Sequence, residues 1–163
     1  MRNTSQVDTS EQRVLIFSAQ TPWVSNKQIY FLFSQHQVED ILMDTSVQSV
    51  PFCPGHIEGL AEWHNQALPV ISLEACLGLE FLNSPKIQRL LVVRALKNET
   101  APRDFYRVMI RMVPPIQMLT LPIECSPVSE KWIPEKFFSM GVYEWEDKFL
   151  VVANMKNILN GKN

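Results

Sequence analysis

The sequence predicts a mainly β protein built as two pseudo-symmetric small barrels that share a core, with short helices attached. Three observations predict it. Apolar stretches are short, and Pro, Asn, Ser or Asp interrupts them about every eight to twelve residues, the rhythm of a sandwich or barrel. The chain also repeats itself. GLAEWHNQALPVISLEACL (59–77) aligns without a gap on GVYEWEDKFLVVANMKNIL (141–159), 82 residues on, with 6 of 19 positions identical. That offset is half of the 163 residues. Finally, a unit of about 80 residues has a marginal core by itself, so two such units are expected to share one.

The elements follow in order. The polar stretch MRNTSQVDTSEQ (1–12) reads as a flexible N-terminal arm ahead of one domain over 13–160. RVLIFSAQ (13–20) reads as a strand, and QIYFLF (28–33) as a second after the polar turn Ser25-Asn26-Lys27. VEDIL (38–42) fits a helical turn or a strand, since periodicity over five residues does not separate them. HIEGLAEW (56–63) and QALPVISL (66–73) flank the turn pair His64-Asn65 and form a hairpin. Pro69 lacks a ladder donor and is expected at an edge or a bulge.

The second half repeats the scheme. KIQRLLVVRAL (86–96) reads as a strand buried on both faces. FYRVMIRMV (105–113) alternates, which predicts Tyr106, Val108, Ile110 and Met112 inward, and Phe105, Arg107, Met109 and Arg111 on the other face, with both arginines in water. Pro102, Pro114 and Pro115 bound it. MGVYEW (140–145) and KFLVVAN (148–154) form the second hairpin around Glu146-Asp147. Ser72 and Asn154 stand as N-caps of short helices, and Gly78 and Gly161 as their ends.

Composition narrows the function. With 46% apolar and 20% charged residues the chain is an ordinary globular one, and a net charge of −2 supplies no basic excess for nucleic acid. No apolar run approaches the ~18 residues that span a membrane. Three scattered cysteines, Cys53, Cys76 and Cys125, give neither a disulfide framework nor a zinc knuckle. A reduced, cytoplasmic protein is expected.

The chemistry-bearing patterns are weak. Cys53-Pro54-Gly55-His56 has the spacing of half a metal site, but it reads first as a Pro-Gly turn opening a strand. Phosphate loops, nucleophile elbows and zinc-helix motifs are missing from the sequence. No enzyme activity, cofactor or metal is expected. Trp63 and Trp145, at matching turn edges, read first as caps of their own barrels and second as partner anchors.

The run from Ile29 to Leu79 resembles the CheW-like domain of bacterial chemotaxis signalling. Pro51, Pro54, Ile57, Gly59, Pro69, Val70, Ile71, Leu73, Leu77 and Gly78 match that family's pattern in register. Later segments LLVVR, RVMIRMV and MLTLP fit as well, so the resemblance runs from residue 13 through nearly the whole chain. It implies two five-stranded β-barrels around a shared apolar core. It also implies a non-catalytic adaptor between the cytoplasmic tip of methyl-accepting chemoreceptors and the regulatory domain of a CheA-type histidine kinase. The output would be chemotaxis, type IV pilus or gliding motility.

The family's contact segment falls on Val38, Asp40 and Leu42. Its Asn-Leu-Arg-Gly hairpin tip falls on Glu62, Trp63, His64 and Asn65. Here His64 replaces the arginine, removing a fixed bidentate fork and a permanent charge. These six positions, Val38, Asp40, Leu42, Glu62, Trp63 and His64, are the expected partner-binding residues. The alternative is a small β-barrel module that binds a different protein, or a nucleic acid through aromatics beside a basic groove, outside chemotaxis.

Overall fold

The computed structural model describes residues 11–82, 88–97, 100 and 103–161. Among them eleven strands and two short α-helices follow in order, besides two single 3-10 turns: β1 (Arg13–Ser18), β2 (Gln28–Ser34), β3 (Val38–Met43), β4 (Ile57–Trp63), β5 (Gln66–Ile71), α1 (Leu73–Cys76), β6 (Arg89–Leu96), β7 (Phe105–Met112), β8 (Ile116–Thr120), β9 (Ser126–Val128), β10 (Ser139–Trp145), β11 (Lys148–Ala153) and α2 (Met155–Asn160). The first ten residues of the expected arm, and Pro102, lie outside the described residues.

The strands form two sheets, β8-β1-β2-β11-β10-β9 and β3-β6-β7-β5-β4. The six-stranded sheet has one strand beyond the five expected. It is β9, three residues that pair with β10 at the edge. Reading the two orders side by side matches β3 with β8, β6 with β1, β7 with β2, β5 with β11 and β4 with β10. Each half of the chain therefore gives its opening hairpin to the other half's sheet. The joins are two parallel pairs, β2 with β11 and β5 with β7.

The cores follow from strand alternation. Leu91, Val93, Val108 and Ile110 of the five-stranded sheet meet Phe17, Ile29, Phe31 and Phe33 of the other in one shared core, closed by Leu73, Leu77, Met155 and Ile158 from the helices. The opposite face of the five-stranded sheet has its own smaller core of Ala61, Leu68, Val70, Leu90, Val92 and Met109. That second core corrects the expectation for β7. Met109 is fully buried on the face assigned to water, while Tyr106, assigned inward, is exposed. A curled sheet has an interior on its concave side as well, so alternation alone misassigns that face. Arg107 and Arg111 on it stay half-buried and are ion-paired with Glu39 and Glu58.

Pro69 needs a similar correction. It sits in β5, an inner strand, but pairing with β7 begins only at Val70. The bulge lies on the partner strand instead, between Ile57 and Gly59, and recurs between Ser139 and Gly141. Segment 38–42 is a strand, bulged at Glu39.

Local chemistry explains the remaining joints. His64 (φ 46°) and Asn65 (φ 61°) make the two-residue turn, in left-handed geometry that asparagine tolerates. The Ser72 hydroxyl accepts the Ala75 N–H at 3.3 Å, and the Asn154 side chain accepts that of Asn157 at 3.0 Å, so both caps form. Gly78 and Gly161 leave the helices at φ 73°. The Ile57 N–H donates to Pro54 O at 2.9 Å, closing the turn that opens β4.

Gly59 and Gly141 share a φ of 157°, yet their surroundings differ. A Cβ on Gly59 would stand 2.2 Å from Gln48 O, because Gln48 and Leu60 exchange two backbone hydrogen bonds there. A Cβ on Gly141 would meet only the Tyr143 ring, at 3.3 Å. Gly59→Ala should therefore cost about 3 kcal/mol in urea unfolding and Gly141→Ala about 1 kcal/mol, since backbone gives way less easily than a side chain. Equal losses would contradict this account of the bulge.

Candidate functional site: the barrel edge and the open seam

The structure brings the two expected contact segments together. β3 and β4 are opposite edges of the five-stranded sheet, and its curl carries them toward each other. The Trp63 indole N–H donates to Asp40 Oδ2 at 3.0 Å, and the Gln48–Leu60 bridge adds a backbone link beside it. His64 stacks on Trp63 with ring centroids 4.0 Å apart and planes 13° from parallel. The Arg107 guanidinium lies 5.8 Å from the Trp63 ring. Trp63 also packs against the smaller core, so it both caps that core and ties its edges.

The six expected residues differ in how they can meet a partner. Val38 packs against the shared core and Leu42 against the smaller one, because the bulge at Glu39 switches the strand between faces. Asp40 is engaged by Trp63. Glu62 and His64 are exposed at the tip. The outward apolar residues of β3 are instead Ile41 and Met43, at 41% and 65% exposure.

The bulge also serves electrostatics. Arg94 and Arg107 stand directly opposite on β6 and β7, an arrangement that repels. Glu39 answers both, at 3.6 Å from Arg94 Nη1 and 2.7 Å from Arg107 Nε, and its hydrogen bond pushes the Arg107 pKa up. Arg94 then leans over the Phe105 ring at 4.6 Å, and its Nε donates to His36 O at 2.9 Å.

Beside Arg94 lies a groove of about 490 Å³ between the two sheets. Its floor is apolar: Ala95, Leu96, Phe105, Met140, Ala153 and Met155. Its rim carries His36, Lys156 and Arg94, the last paired with Glu39, and no carboxylate is among the described residues that line it. Sequence reading missed this groove. The signal was a change of character at the repeat's offset: Met140 stands 82 residues after Glu58, just ahead of the repeated stretch, and Lys156 82 residues after Glu74, inside it.

Thiol chemistry has little support here. The buried Cys76 thiol is pushed up to about 12, by desolvation first and by the Glu74 charge second. Among the described residues no group of three or more His, Cys, Asp or Glu side chains is placed to hold a metal.

Residues 23–101 match the family model of the CheW-like domain. That likeness to the CheW-like domain covers a little under half of the chain. The match spans β2 to β6, and the solved structures extend the likeness to both barrels. The crystal structure of the scaffolding protein TtCheW from Thermoanaerobacter tengcongensis superposes with a TM-score of 0.67 at 17% identity, covering 93% of this chain and 94% of that one. No match is found among the curated proteins. No described helix is long and apolar enough to cross a membrane.

The tie between the barrel edges is directly measurable. A double-mutant cycle with Asp40→Ala and Trp63→Phe should give a coupling of about 1 kcal/mol in denaturant unfolding, the size of one half-buried hydrogen bond to a charged group. Additive single losses would show that the two edges are held by packing alone.

Proposed function

We propose that this CheW-like protein is a non-enzymatic cytoplasmic scaffold that couples methyl-accepting chemoreceptors to a CheA-type histidine kinase, in chemotaxis or in pilus or gliding signalling. The observation that carries the reading is the open groove between the barrels. Its apolar floor and basic rim suit an amphipathic helical tip with acidic flanks. Such a contact is an apolar patch with a charged border, modest alone and strengthened by multivalency in an array.

The second contact is assigned to the edge of the five-stranded sheet. There Ile41 and Met43 offer exposed apolar area next to Glu62, Trp63 and His64. The kinase's regulatory domain is the partner for this face. Val38 and Leu42 support the surface from beneath rather than meeting the partner with their whole side chains.

Calorimetry with a receptor cytoplasmic tip and with a kinase regulatory domain separates the two faces. Met140→Glu should weaken the receptor tip at least about tenfold and leave the kinase domain unaffected. Met43→Arg should do the reverse. Met140 is 66% exposed and Met43 65%, so circular dichroism and Tm should not change. A wild-type protein that binds neither partner at tens of micromolar would overturn the proposal.

A further inference from the structure

The two sheets end in four edge strands, β3 and β4 in one, β8 and β9 in the other. An edge strand presents unpaired backbone N–H and C=O groups. Soluble proteins blunt such an edge with a bulge, a charge, a proline, a very short strand or a covering segment. Three of the four edges are blunted. β3 is bulged at Glu39 and carries Glu39 and Asp40, drawn back onto the barrel by Arg107 and by the Trp63 indole. β4 is bulged before Gly59, and Gln48 covers it by exchanging two backbone hydrogen bonds with Leu60. β9 is three residues long with Pro127 at its centre.

β8 carries neither a bulge nor a charge. It runs for five residues, Ile116–Thr120, in unbroken register with β1. From Val113 to Ile123 the chain has no charged residue. Gln117, Met118 and Thr120 are exposed, Met118 at 49%, while Ile116 and Leu119 are half-buried. Among the described residues, no backbone group of this strand bonds to anything but β1. Arg13 of β1 reaches the strand, with its Nη1 at 3.9 Å from Met118 Sδ, and Glu11 neutralises it at 3.4 Å.

We propose that β8 is the pairing edge for a second copy of this chain: two molecules join antiparallel through their β8 strands, about a two-fold axis at Met118. The occupant follows from the side chains. In that register Met118 faces its own copy, Gln117 faces Leu119 and Ile116 faces Thr120, so the strand meets itself with no like charges opposed. The ends of the strand limit its reach. Pro115 precedes it and Pro122 follows it, and neither has a backbone N–H to donate. The Leu121 N–H is taken by Gln12 O at 2.8 Å. The contact therefore uses up the edge of both molecules and closes as a dimer rather than a fibre. It is independent of the proposed receptor and kinase contacts, since β8 lines neither the groove nor the β3–β4 edge. It ties two scaffolds together with residues that neither partner face uses.

A five-residue edge is a small interface, so the association is weak and shows only in concentrated solution. Sedimentation velocity of the whole protein tests it. From about 10 µM to about 1 mM the weight-average mass should rise toward the dimer and no further. Met118→Lys, which sets two lysines face to face, should weaken the association at least about tenfold. Met43→Lys, on the equivalent edge β3, should leave it unchanged. Both methionines are exposed, so circular dichroism should show both variants folded. Hydrogen exchange of the wild type reads the edge without any variant. Segment 113–123 should gain at least about threefold protection between the same two concentrations, and β3 none. A wild type that stays monomeric at the higher concentration, growth past the dimer, association that survives Met118→Lys, an equal loss in Met43→Lys, or protection gained at β3 instead of β8 would each overturn the proposal.

Discussion

Two parallel strand pairs, β2 with β11 and β5 with β7, hold the molecule in one piece. A parallel pair cannot be closed by a tight turn, so its strands must come from distant parts of the chain. Here they come from opposite halves. Each half sends its first hairpin across and keeps its third strand and its last hairpin. Neither barrel is complete without the other half, and the shared core of Phe17, Phe31, Leu91 and Ile110 is sealed only when both crossings are made.

That exchange generates two seams between the barrels. An exact repeat would give two equal seams. The repeat is inexact where it matters. Glu58 and Glu74 fill one side with a satisfied polar cluster, while Met140 and Lys156 leave the other open with an apolar floor. An exposed apolar groove is costly to keep in water unless a partner covers it. The closed seam fixes the barrels relative to one another, so the open one presents a defined shape.

Much of the fold was legible in the sequence because its signals are local. The turn pair His64-Asn65 and the caps Ser72 and Asn154 each act within a few residues, and the internal repeat is read by comparing two stretches of sequence directly. What was illegible depends on curvature and crossing. Burial of Met109 requires a second core inside a curled sheet. The inner position of Pro69 requires knowing where β7 stops pairing. The swap of faces at Glu39 turns Val38 and Leu42 inward and Ile41 and Met43 outward, and a one-residue bulge leaves no composition signal. The Trp63–Asp40 bond joins residues whose proximity exists only after the sheet edges meet. The groove was visible in principle, as changes of character from Glu58 to Met140 and from Glu74 to Lys156 at the 82-residue offset of the repeat.

The most direct test of the account is chemical-shift mapping of the isotope-labelled protein titrated with a helical receptor tip. The account predicts perturbations confined to His36–Gln37, Arg94–Leu96, Met140 and Asn154–Lys156, around the open seam. Shifts centred on Gln20, Glu74 and Arg111, or no shifts at all at saturating peptide, would contradict it.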